Sequence, residues 1–128
     1  MKLPVYWLAL LLPWVTVQAN EVEVVQTEFS RQGDGWYVST TLRHKDAGWD
    51  HYADQWRVVD ADGKVLGNRI LYHPHEHEQP FTRSQSGIRI PSDTTVVFVE
   101  AHDKVHGWSK QRVRVDLTRK SGDRFSVK

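Results

Sequence analysis

Trp36-Tyr37-Val38-Ser39-Thr40-Thr41-Leu42-Arg43 sets Trp36, Val38, Thr40 and Leu42 at alternate positions. Successive side chains of a strand point to opposite faces, so this spacing gives one face to a core and the other to water. The stretch predicts a β-strand half-buried in a layered sheet. On its N-terminal side, Gln32-Gly33-Asp34-Gly35 supplies a turn after a β-like run over 21–31. On its C-terminal side the same grammar repeats, with runs over 52–60, 64–72, 81–90, 94–101 and 110–117. Turn signals such as Ala61-Asp62-Gly63 and Pro91-Ser92-Asp93 separate them. In the last run Val113, Val115 and Leu117 alternate with Arg112, Arg114 and Asp116. No stretch of about 12 residues carries helical periodicity. Short strands at intervals of about 8–12 residues predict an all-β fold, a seven-stranded antiparallel β-sandwich.

The ends read differently. Lys2 followed by a nearly unbroken apolar run from Val5 to Val17, then Val17-Gln18-Ala19, has the pattern of a secretory signal peptide over 1–19. The run is short for a bilayer span, which needs about 20 residues, so no membrane insertion is expected after cleavage. The sandwich is expected over 20–118, and the polar stretch 119–128 as a flexible tail. The location implied is periplasmic or secreted.

Composition removes several classes of function. The formal net charge is +1, and Lys2 is the one charged residue before Asn20, so the domain itself is neutral. That balance gives no reason to expect nucleic acid as a partner. Cysteine is absent and Met1 is the single methionine. A sulfur-ligated metal site, a thiol nucleophile and disulfide support are therefore excluded from the domain. No G-x-S-x-G element and no glycine-rich phosphate loop occur. Glu76 and Glu78 stand too near each other in sequence to read as a glycosidase pair.

The chemistry of the chain lies in its histidines. All seven fall between residues 44 and 106: His44, His51, His73, His75, His77, His102 and His106. Connections in an antiparallel sandwich alternate between its two ends, so 44–51, 73–80 and 102–109 share one pole. Every histidine sits on one of these three. Imidazole is a preferred ligand of transition metals, and nitrogen and oxygen donors without sulfur suit Cu(II) or Zn(II). In His73-Pro74-His75-Glu76-His77-Glu78, Pro74 favours an extended chain, which would align the three imidazoles on one face. His51, His73, His75 and His106 are the expected metal ligands. His77, His102, Glu78 and Asp103 are additional candidates, as ligands or as acceptors that orient an imidazole. His44 ranks last. A preformed site requires donor nitrogens within about 4 Å of one another, because metal–nitrogen bonds are near 2 Å.

Trp49, Tyr52, Tyr72 and Trp108 lie near the same pole, where they either cap the core or meet a ligand. Trp36 and Trp56 read as core residues. Two classes of function follow. One is an exported metal-binding sandwich. The alternative is a non-enzymatic interaction module whose His- and Trp-rich loops bind a periplasmic protein or a glycan. A hydrolase using metal-bound water would need an open coordination position and a substrate cleft, so the expectation is that the protein is not an enzyme.

Three segments carry a resemblance. They are Gly48-Trp49-Asp50-His51-Tyr52-Ala53-Asp54, then His73-Pro74-His75 with Glu78-Gln79-Pro80-Phe81-Thr82-Arg83-Ser84, then His106-Gly107-Trp108. Together they resemble a group of small exported bacterial proteins, uncharacterised in activity, with an H-P-H-x-x-E-Q-P-F-T-R-S segment. The resemblance implies a secreted or periplasmic single domain and lends weight to His51, His73, His75 and His106. Strand spacing and the bulky Trp56 on the third strand are similar to the immunoglobulin and fibronectin type III sandwiches. That likeness speaks to architecture and not to function.

Overall fold

The computed structural model describes residues 20–128, so the expected signal peptide over 1–19 lies outside the described residues. The described residues form ten strands and no helix. They are β1 (Glu23–Gln32), β2 (Gly35–Arg43), β3 (Ala53–Val59), β4 (Val65–Ile70), β5 (Phe81–Ile88), β6 (Val96–Asp103), β7 (Gly107–Trp108), β8 (Val113–Asp116), β9 (Ser121–Gly122) and β10 (Phe125–Val127). One sheet runs β5-β2-β1-β10-β9; the other runs β4-β3-β6, with β7 and β8 both paired to β6. The expected β-sandwich is the observed fold, and each of the seven predicted strands has its counterpart.

Alternation builds the core. Trp36, Val38, Thr40 and Leu42 of β2 are all buried, and Val97, Val99 and Ala101 of β6 do the same from the facing sheet. Trp56 on β3 is 0% exposed at the centre. Phe29 and Trp36 meet edge to face at 6.2 Å, the geometry that ring quadrupoles favour. At the start of β1, the strand has β2 on one side only, because β10 begins its pairing at Thr27. The Gln111 side chain supplies the missing partner. Its Oε1 accepts from Val24 N at 2.8 Å and its Nε2 donates to Val24 O at 3.0 Å. A buried backbone left unpaired there would cost the desolvation of both groups.

The C-terminal stretch departs from expectation. Residues 119–128 are not a flexible tail: β10 pairs in parallel with β1, and β9 pairs with β10. The fully antiparallel sheet expected from the sequence thereby becomes mixed. The reason is Phe125, 6% exposed and part of the core. Its ring lies over Gly122, where an added Cβ would collide with Phe125 Cε1, so that approach requires glycine. Two apolar residues, Phe125 and Val127, in a polar decapeptide are a weak sequence signal, yet they anchor the segment. Phe125→Ala is expected to lower unfolding stability by about 3 kcal/mol, read as a shifted urea midpoint. An unchanged midpoint would mean that the segment contributes nothing to the core.

Candidate metal centre

The loops after β2, β4 and β6 meet at one pole, and a single carboxylate, Asp46, ties two of them to the start of β3. Asp46 Oδ1 accepts from His44 Nδ1 at 2.6 Å and from Ala53 N at 3.0 Å. Asp46 Oδ2 accepts from His75 N at 2.7 Å. Glu76 adds a further tie, accepting from Gly48 N at 2.7 Å. Sequence reading did not single out Asp46. Its signal was present only as an acidic residue two positions from a histidine, a common arrangement.

Around this hub three imidazoles and one carboxylate come together. His51 lies 4.9 Å from His44 and 5.1 Å from His106 between ring centroids. Asp103 is 0% exposed and sits among them. Its Oδ1 is 3.2 Å from His51 Nε2 and 3.2 Å from His106 Nδ1. The same oxygen accepts from the backbone N–H groups of Val105 and His106 at 2.9 and 2.7 Å. One potential ligand atom from each of His44, His51 and Asp103 lies within 4.8 Å of the others, so this group could hold a metal ion. That spread is somewhat wider than the contact of about 4 Å a tightly preformed site requires. Two atoms within the cluster, His51 Nε2 and Asp103 Oδ2, are buried without a hydrogen-bond partner. Buried polar atoms are almost always paired. Trp56 Nε1, Arg69 Nε, His75 Nδ1 and Ser109 Oγ share this condition elsewhere, and what sets His51 Nε2 and Asp103 Oδ2 apart is that they lie in one cluster.

Electrostatics distinguish the members. For His44, burial disfavours charge, but the Asp46 hydrogen bond, the Asn20 carbonyl and the charges of Asp46 and Asp103 outweigh it. Its pKa is therefore raised. Both ring nitrogens face acceptors, Asp46 Oδ1 and Asn20 O at 2.8 Å, which suits a doubly protonated ring. Burial opposes charge on Asp46 too, yet donors from His44, His75 and Ala53 hold its pKa down. Asp103 likewise overcomes burial through the amides of His106 and Val105 and the His106 ring, and its pKa is lowered.

Of the four ligands expected from sequence, the structure brings His51 and His106 together and leaves His73 and His75 outside. His75 is stacked on Phe81 at 4.0 Å. Its Nε2 accepts from Arg83 at 2.8 Å, and burial followed by the Arg83 charge lowers its pKa. A nitrogen already holding a guanidinium offers little to a cation. Arg83 also pairs with Glu78 at 3.5 Å, which removes that carboxylate from the cluster. His73 and His77 are exposed while His75 turns inward, so the three do not share a face. The loop is not a strand there, and the alternation expected beside Pro74 has no ladder to enforce it. His102 lies apart, donating from Nδ1 to Asp54 at 2.5 Å and packing edge-on against Trp108 at 4.9 Å. Among the additional candidates, Asp103 is the one at the centre. His44, ranked last in sequence, is one of the three imidazoles. Tyr52 caps the core, whereas Trp49 and Tyr72 are 62% and 69% exposed.

No protein-family model matches the chain, and no solved structure does. Among curated proteins it is similar to one from Halomicrobium mukohataei, named "Putative lipoprotein". The two are 44% identical over 99 residues, which is 77% of this chain and 47% of the relative. The chain thus spans about half the length of the curated relative it matches. That relative is archaeal, so the similarity reaches beyond the bacterial proteins the sequence resembled. Among the described residues no helix is long and apolar enough to cross a membrane.

Proposed function

We propose that this protein is an exported metal-binding β-sandwich that holds Zn(II) or Cu(II) at the pole built by His44, His51, Asp103 and His106. The observation that carries the reading is the pair of orphaned buried atoms, His51 Nε2 and Asp103 Oδ2, facing a shared cluster. Imidazole and carboxylate donors without sulfur suit these ions. Asp46 would hold the His44 ring in place, the role that carboxylates play behind ligating histidines. His44 or His106 would complete the donor set. For His44 this means shedding a proton and giving up either its Asn20 or its Asp46 contact, so affinity should fall steeply in acid. Such a site suits buffering, carriage or sensing of the ion. Export is supported by the leader-like 1–19 and by the word lipoprotein in the relative's name.

Titration calorimetry of the full metal-stripped chain with Zn(II) and Cu(II), near pH 7.5, tests this. One-to-one binding with Kd below about 1 µM is expected. Binding no tighter than about 100 µM would overturn it. The second reading is an interaction module, favoured by the exposure of Trp49 and Tyr72 at the same pole. It predicts partner or glycan binding that is lost in Trp49→Ala and indifferent to chelators.

A further inference from the structure

The sandwich has a second feature away from the histidine pole. A groove of about 480 Å³ runs between β8 of one sheet and the β9–β10 pair of the other. It is lined by Arg112, Arg114, Arg119 and Arg124, with Asp116 and Asp123 as its carboxylates. Two of the arginines are occupied. Arg112 pairs with Glu100 at 3.3 Å and lies over Phe98; Arg124 pairs with Glu23 at 2.8 Å. Arg114 and Arg119 have no carboxylate within 4 Å among the described residues, and the stretch 1–19 contains no acidic residue to supply one. Asp116 accepts from Thr118 Oγ1 at 2.6 Å and Thr118 N at 3.0 Å, and these bonds, with the nearby charges of Arg114 and Arg119, hold its carboxyl below the usual range.

The groove also borders an open sheet edge. Among the described residues β8 pairs with β6 and with no other strand. Leu117 N donates to Thr95 O, which fixes the phase of the ladder. Val113 and Val115 then bond toward β6, and the backbone N–H and C=O of Arg114 point outward. Arg112 and Arg114 are two residues apart and share the outer face.

We propose that this groove binds an extended acidic peptide segment, which adds as a strand to β8. Main-chain bonds to Arg114 would supply registration. A carboxylate on the added strand would face Arg114, and Arg119 would engage a further one across the groove. Outward-facing main-chain groups with cationic side chains on either side discourage self-pairing of edges while remaining open to an anionic strand.

The test is fluorescence anisotropy of the full chain with a labelled peptide of alternating Glu and Val, about eight residues long. Three further probes accompany it: the same peptide with alternate amides N-methylated, a Lys-Val counterpart, and inorganic phosphate at matched ionic strength. The expected result is saturable binding of the Glu-Val peptide, weakened at least tenfold by N-methylation and by the double change R114E/R119E. The Lys-Val peptide should not bind. Equal binding of the methylated peptide, or displacement by phosphate as effective as by unlabelled peptide, would reduce the groove to an anion site and overturn strand addition. Absence of saturation at millimolar peptide would overturn the site altogether. Urea midpoints of the double variant, which changes two exposed side chains, report whether the fold is intact.

Discussion

Replacing Asp46 by alanine is expected to destabilise the protein by about 3–5 kcal/mol, the cost of removing one partner from a buried ion pair. The change does more than break a pair. It leaves His44 Nδ1, Ala53 N and His75 N without an acceptor, and these lie in two loops and at the start of β3. Each unsatisfied buried donor carries its own desolvation cost. Urea unfolding of the two proteins measures the difference, and a loss below about 1 kcal/mol would show that Asp46 is not the tie between them.

The same hub sets a pH dependence whose sign can be worked out. The folded-state pKa of His44 is raised above the ordinary 6.5, so its contribution is complete below about 6.5 and is lost as pH rises through the raised value. Asp46 and Asp103 are lowered below 3.8, so theirs is present above about 3.8 and is lost as pH falls through the lowered values. His75 is lowered and acts against His44, losing stability as pH falls below 6.5. The two histidines act on opposite sides of pH 6.5 in the wild-type profile. His44→Gln isolates the first. Without metal, the stability gap between wild type and this variant should narrow from pH 6 to pH 9, and a gap that widened would refute the charged His44.

The second large effect concerns metal affinity. His51→Ala is expected to weaken Zn(II) or Cu(II) binding by more than about 100-fold, beyond what loss of a supporting contact produces. His51 is the imidazole between the other two, and its Nε2 is buried without a hydrogen-bond partner. Asp103→Asn should weaken binding similarly, since the amide removes the anionic donor. It also disturbs the turn that Asp103 caps, so its fold must be checked by urea unfolding. His73→Ala and His77→Ala, both on exposed side chains, should change affinity less than about threefold. A pattern in which the His73–His77 stretch carries the binding would transfer the site to that loop and refute the cluster around His51.

Some of this was legible in the sequence for a simple reason. Strand periodicity is local: the alternation of Trp36, Val38, Thr40 and Leu42 needs only the chain and water to choose a face. From alternation and turn spacing came the sandwich, the core tryptophans Trp36 and Trp56, and the gathering of histidine loops at one pole. The amino acids also settled that any metal site in the domain must use nitrogen and oxygen. What the sequence could not choose was which histidines face one another. That depends on side-chain direction in loops without a ladder, where no periodicity constrains the answer. Tertiary packing turned His75 onto Phe81 and Arg83, drew His44 inward against Asp46, and set Asp103 among three imidazoles. It also seated Phe125 in the core with Val127 against it, because isolated apolar residues find their partners across the fold and not along the chain.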